Sequence, residues 1–265
     1  MILVVSDVHL GYKRCNEEAF NKFLDKYVQK DIEHLVLLGD IFDFWRRSNS
    51  KIAEEYREIL EKLCSFNAGK VHYVVGNHDY YMLKLKGRYG NHPFKVSKSL
   101  RLRDGGKNFY FIHGYEFEVL IFESLTLDVY EAFSEKMCYG KNVIGSVASP
   151  FWEFFYKNKS GIAKLMCKMK KNPQIRLEEK LEFKGEEKKE KDIIHEFAVS
   201  QGKRFLLGMK PYERLVFGHT HMPFINREGT VVNTGSWVDE LKSKQYQNSY
   251  VEILDGHMKL KFFRP

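Results

Sequence analysis

The sequence predicts an α/β protein, a largely parallel sheet covered by helices with a second sheet packed against it. Three observations carry this. Short apolar runs alternate with amphipathic helical patterns through the first half, strands dominate the last part, and the core strands end beside glycine and a restricted set of polar residues. Strand–helix–strand alternation implies right-handed crossovers, and hence parallel pairing.

The elements follow in order. "ILVVSD" (2–7) reads as a buried strand, and residues 16–30 as a helix whose Ala19, Phe20, Phe23, Leu24 and Tyr27 share one face. "HLVLLGD" (34–40) is a second strand. Residues 51–66 are a second helix through Ile52, Tyr56, Ile59, Leu60 and Leu63, and "VHYVVGN" (71–77) a third strand. "NFYFIHG" (108–114), "RLVFGHT" (214–220) and "TVVNTGS" (230–236) supply further strands, and 249–263 a terminal hairpin about Asp255-Gly256. Between Ile112 and Leu215 the pattern turns helical over 116–171, and 176–192 reads as a solvated helix or a mobile link. We therefore expect one domain, 1–265, with a helical insertion at 115–200.

Composition sets the outer limits. At 265 residues and 43% hydrophobic content the chain can bury a substantial core, and extensive disorder is excluded. The formal charge of +8 favours anionic partners, either phosphorylated metabolites, nucleic acid or an acidic membrane surface. Cys15, Cys64, Cys138 and Cys167 stand far apart without a CxxC pair, which fits a reducing compartment. The apolar start lacks a basic segment and is interrupted by Asp7, so it reads as a strand rather than a signal peptide. No apolar run reaches the length of a membrane span. The expected location is the cytoplasm, with peripheral attachment to the inner membrane face as an extension.

The strand ends carry the chemistry. Strand one gives Asp7 and His9, strand two Asp40 after Gly39, strand three Asn77, His78 and Asp79 after Gly76. Later strands give His113 before Gly114, then His219 and His221 after Gly218, two histidines expected on one side of an extended segment. In α/β sheets ligands bind at the carboxyl ends of strands, so these groups should converge. Two carboxylates, an amide oxygen and four imidazoles suffice for two divalent cations, and five of the ten histidines lie in these motifs. Mixed oxygen and imidazole donors suit Mn, Fe or Zn better than Ca, with Mn2+ the leading expectation.

"DVH", "GDIFD", "GNHD", "HG" and "GHTH", in this order over residues 7–221, resemble the calcineurin-like metallophosphoesterases. The resemblance implies a four-layer α/β/β/α sandwich with two metals at the sheet edges. It implies Asp7, His9 and His221 on one metal, Asn77, His113 and His219 on the other, and Asp40 bridging. His78 would protonate a leaving oxygen or stabilise transition-state charge, and Asp79 would either orient His78 through its second ring nitrogen or serve as a turn carboxylate binding nearby backbone. Asp43 reads as structural.

"GDIFDFW" and "GNHD" stand where the Ser/Thr phosphatases of this superfamily carry "GDxVDRG" and "GNHE", which argues against a protein phosphatase. "GDIFDFW", "GHTHMP" and the helical insertion resemble the UDP-2,3-diacylglucosamine pyrophosphatase branch, whose members commonly carry Arg at the position of His78 and Asp at that of Tyr115. That likeness implies hydrolysis of a nucleotide-linked lipid at a membrane surface. Phe151, Trp152, Phe154, Phe155 and Tyr156 precede six lysines in 157–171, where Ile162, Leu165, Met166 and Met169 share a helical face. Such a segment is either a lid, a contact with an anionic membrane, or both. Arg46 and Arg47 are candidates to grip a second phosphate. A nuclease or nucleotide phosphodiesterase using the same centre, and a non-catalytic metal-binding scaffold, are the competing readings.

Overall fold

The computed structural model describes residues 1–28, 30, 32–66, 68–85, 94–120, 126–140, 187–241 and 244–265. Along the chain come β1 (Ile2–Val5), α1 (Glu17–Tyr27), β2 (Ile32–Leu38), α2 (Asn49–Glu55), α3 (Arg57–Ser65), β3 (Ala68–Val74), α4 (Met82–Leu85), β4 (Phe94–Ser97), β5 (Ser99–Asp104) and β6 (Lys107–Ile112). A 3-10 turn (Tyr115–Leu120) leads to α5 (Leu127–Gly140), α6 (Glu187–Val199) and α7 (Gly202–Leu207). Then follow β7 (Glu213–Phe217), β8 (Phe224–Ile225), β9 (Val231–Asn233), β10 (Ser249–Leu254) and β11 (His257–Phe262).

The strands form two sheets, ordered β11-β10-β1-β2-β3-β4 and β5-β6-β7-β9-β8. Neighbours from β1 to β4 are parallel, as are β6, β7 and β9, while the terminal hairpin adds antiparallel to β1. Residue alternation explains the layering. Ile2 and Val4 of β1 face the other sheet with Val36, Leu38 and Val74, meeting Phe109, Phe111, Val216 and Val232. Leu3 and Val5 face the opposite way, onto Phe20, Phe23 and Leu24 of α1 and Leu63 of α3. The far face of the second sheet packs Ile112, Leu215 and Phe217 against Ile194 and Ala198 of α6. Helices, sheet, sheet and helices make four layers, the expected fold class.

The structure departs from the sequence reading at several elements. The helix expected over 51–66 breaks at Tyr56, whose φ of −111° and ψ of 27° separate α2 from α3. Tyr56 Oη there accepts a hydrogen bond from Gly11 N at 3.0 Å, so the break places a side chain beneath the first motif loop. Strands β4 and β5 were not anticipated, being short and half polar ("FKVS", "SLRLRD"). β6 and β7 pair directly in parallel although residues 113–212 separate them. The aromatic–lysine stretch at 151–171 lies outside the described residues. No helix among the described residues is long and apolar enough to cross a membrane.

Candidate metal centre

The motif loops turn sharply where their strands stop. Asp7, His9, Asp40, His219 and His221 all have left-handed backbone, with φ between 51° and 67°. Asp and His are among the few residues besides glycine that enter this region at modest cost, so the residue types demanded by chemistry also suit the turns. The loops are laced together: Asp7 N donates to Gly39 O (3.0 Å), His9 N to Asp40 O (2.9 Å) and Gly218 N to His113 O (2.8 Å). Gly76 is needed because a Cβ there would overlap the carboxylate of Asp40.

Among the described residues three clusters result, one of Asp7, His9 and His221, a second of Asp40, His113 and His219, and a third of His9, Asp43 and His78, with donor atoms within 4.8 Å of one another in each. In the first, His221 Nε2 lies 3.3 Å from Asp7 Oδ1 and 3.1 Å from His9 Nε2. In the second, His113 Nε2 lies 3.2 Å from Asp40 Oδ2. The same Asp40 oxygen is 3.7 Å from His9 Nε2, so its carboxylate stands between the first two clusters. His219 and His221 are therefore not side by side on an extended strand. β7 ends at Phe217, and the left-handed turns send the two histidines to different clusters.

The buried donors fit divalent cations. Asp7 Oδ1, Asn77 Oδ1 and His113 Nε2 are buried and make no hydrogen bond, an arrangement that costs free energy unless something else satisfies them. Burial pushes His113 toward neutrality, but Asp40 and Asp7 override it and raise its pKa to about 10. His221 behaves alike: burial lowers it, and the nearby carboxylates of Asp7 and Glu240 raise it to about 9. Asp7 and Asp40 are pushed up by burial yet end below the ordinary carboxylate range, held there chiefly by His113. Asp7 and Asp40 thus stay ionised and place negative charge where the histidine nitrogens converge, which is what a cation site requires.

The outer nitrogens of the histidines are all engaged. His113 Nδ1 lies 2.9 Å from Leu38 O, His9 Nδ1 3.3 Å from Asp43 Oδ2, His219 Nε2 2.8 Å from Glu118 Oε1 and His221 Nδ1 2.9 Å from Glu240 Oε2. The sequence reading missed Glu118 and Glu240, which lie in no motif, and treated Asp43 as merely structural. Asp43 also meets His78 Nδ1 at 3.1 Å and forms a close ion pair with Arg46, so it joins His9, His78 and Arg46. Asp79 does not orient His78. Its oxygens accept from Ile41 N (2.8 Å), Gly76 N (2.7 Å) and Tyr73 Oη (2.5 Å), making it the carboxylate that ties the turn together. Burial and the charge of Asp40 raise its pKa to about 6.

His78 is also stacked on Trp45, ring centroids 4.0 Å apart, and its backbone N donates to Asp40 Oδ1 at 2.8 Å. Arg46 lies over the Tyr12 ring beside the His9 cluster. Arg47 instead pairs with Glu55 at 3.3 Å. Tyr115 is buried with its ring 6.3 Å from that of His113, stacked on Tyr130 and donating to Glu131.

A two-sheet sandwich with paired Asp/His clusters at its strand ends defines a metal-dependent phosphoester hydrolase. The chain matches the calcineurin-like phosphoesterase family over residues 1–223, and it belongs to that family. It is 24% identical over 261 residues to a UDP-2,3-diacylglucosamine hydrolase of Shewanella halifaxensis, covering 96% of this chain and 97% of the relative. Among solved structures it is similar to a dimetal phosphatase from Danio rerio (11% identity, 98% and 94% coverage, TM-score 0.46). It is also similar to a Vps29 single mutant from Entamoeba histolytica (14% identity, 98% and 96% coverage, TM-score 0.39).

Proposed function

We propose that this chain is a dinuclear-metal phosphohydrolase that cleaves a pyrophosphate or phosphodiester bond, its substrate class a nucleotide-linked lipid of the UDP-2,3-diacylglucosamine kind. The observation that carries the metal chemistry is the pair of clusters flanking Asp40, with three buried donor atoms left without hydrogen bonds. The substrate class rests on the likeness to the Shewanella enzyme along nearly the whole chain.

In this reading Asp7, His9 and His221 would hold one cation and Asn77, His113 and His219 the other, with Asp40 shared between them. Bound divalent cations, Mn2+ first among them, neutralise phosphoryl oxygens and activate water near neutral pH. His78 holds the proton for the leaving oxygen: Asp43 occupies Nδ1, which leaves Nε2 for the substrate. Arg46, at the edge of the same cluster, takes a second phosphate, exchanging part of its pairing with Asp43. Arg47 and Asp79 are left out of the chemistry because each is engaged elsewhere. The reading includes contact with an anionic membrane surface through 151–171, from the cytoplasmic side.

The test is hydrolysis with Mn2+ of a chromogenic phosphodiester, UDP-linked and CDP-linked lipids, and single-stranded DNA. The expected result is preference for a nucleotide-linked lipid, abolished in Asp40→Ala and strongly reduced in His78→Ala. Near-normal turnover in Asp40→Ala would sink the assignment. The charge of +8 favours a nuclease as the second reading, and salt-sensitive DNA cleavage would select it.

A further inference from the structure

Two carboxylates outside every motif touch one histidine in each of the first two clusters. Glu240 Oε2 is 2.9 Å from His221 Nδ1, and Glu118 Oε1 is 2.8 Å from His219 Nε2. They come from unrelated parts of the chain. Glu118 lies in the 3-10 turn that follows β6, and Glu240 follows β9 just after Trp237 and Val238. Their surroundings differ as well, since the side chain of Glu118 is 9% exposed and that of Glu240 31%.

A ligand histidine whose outer nitrogen is bound by a carboxylate has its tautomer and ring orientation fixed and its inner nitrogen made more basic. Here Glu118 fixes Nδ1 of His219, and Glu240 fixes Nε2 of His221, as the nitrogen left for the centre. We propose that Glu118 and Glu240 are positioning residues that set metal affinity separately for the two halves, Glu240 for the Asp7/His9/His221 half and Glu118 for the Asp40/His113/His219 half. The proposal rests on the dinuclear reading. It adds that the halves are independently tunable, because the two carboxylates share neither an element nor a histidine.

The experiment titrates Mn2+ into the metal-free full-length protein, following heat and the Mn2+ electron paramagnetic resonance signal. Wild type is expected to bind two equivalents. Glu240→Gln should weaken one of them by about 10–100-fold, and Glu118→Gln the other, each leaving its counterpart within about threefold. Glu240→Gln should add nothing further in a His221→Ala background, nor Glu118→Gln in His219→Ala, because each carboxylate acts through its histidine. Glu118→Asp serves as a second variant should the buried amide impair folding; its shorter reach should weaken the same equivalent. Unchanged affinities, weakening of one and the same equivalent by both variants, or full additivity with the histidine variants would overturn the proposal. Fewer than two equivalents in wild type would overturn the dinuclear reading itself, before any variant is compared.

Discussion

Asp43 shows how much one buried side chain can coordinate. It is fully enclosed, and its two oxygens serve His9, His78 and Arg46 together. Asp43→Asn keeps the shape but removes the charge that the two imidazoles and the guanidinium share. Turnover should fall by roughly 10–100-fold, and the melting temperature should fall with it, because one partner of a buried ionic group is removed, as kinetics and calorimetry on one preparation would show. His195 gives a separate pH signature. It packs on Phe224 and lies 2.8 Å from Thr220 Oγ1, and burial, aided by Lys191, lowers its pKa from 6.5 to about 4. A depressed histidine contributes stability that is present above pH 6.5 and lost as pH falls toward 4. Thermal melts of the metal-free protein should therefore decline over that window less steeply for His195→Gln than for wild type. The residues that gather at the site were legible where a strand end and a glycine flagged them. They were illegible where the partner came from elsewhere in the fold, as with Glu118 and Glu240, or where adjacency misled, as with Asp79. In "GNHD" the Asp follows the His directly, but the turn that makes the loop points its carboxylate at Gly76 N and Ile41 N instead.

At the scale of elements, α5 buttresses the loop that carries Asn77 and His78. Tyr130, Ser134, Met137 and Cys138 make its buried face, with the i, i+4, i+7, i+8 spacing of one helical stripe. Cys138 Sγ donates to His78 O at 3.2 Å, and Phe133 meets the edge of Trp45, which is itself stacked on His78. Cys138→Ser retains a donor and should leave stability within about 1 kcal/mol. Cys138→Val removes one of the two donors on that carbonyl, which keeps Phe44 N at 3.1 Å, and should cost about 1 kcal/mol, measured by denaturant unfolding. The long strands and α1 were readable because both faces of the first sheet are apolar and the helix repeats its stripe. β4 and β5 were not, since a short strand takes its stability from its neighbours rather than from its own composition. The break at Tyr56 was hidden for a related reason: the apolar spacing runs through it unbroken, and only the hydroxyl's bond to Gly11 shows why the helix restarts.

For the molecule as a whole, unsatisfied buried donors imply that cation binding and folding are linked. Mn2+ at a hundred times its dissociation constant should add about 2.7 kcal/mol. That corresponds to a rise of about 5–10 °C in melting temperature, which EDTA should abolish. Asp40→Asn should show little of that rise. The sandwich itself was foreseeable from the alternating elements, yet the pairing of β1 with β10, Ile2 against Ile253, joins strands far apart in sequence in one sheet. A consequence concerns synthesis. Asp7 emerges from the ribosome long before Glu240, and the strand that closes β1's open edge follows Glu240. At about 5–20 residues per second, the first donors wait for the last for roughly ten seconds or more. Until then β1 presents an unpaired edge and the early histidines lack their partners. A nascent chain stopped before residue 213 would have neither β7 nor its GHTH loop, so the centre can assemble only after that loop has been made.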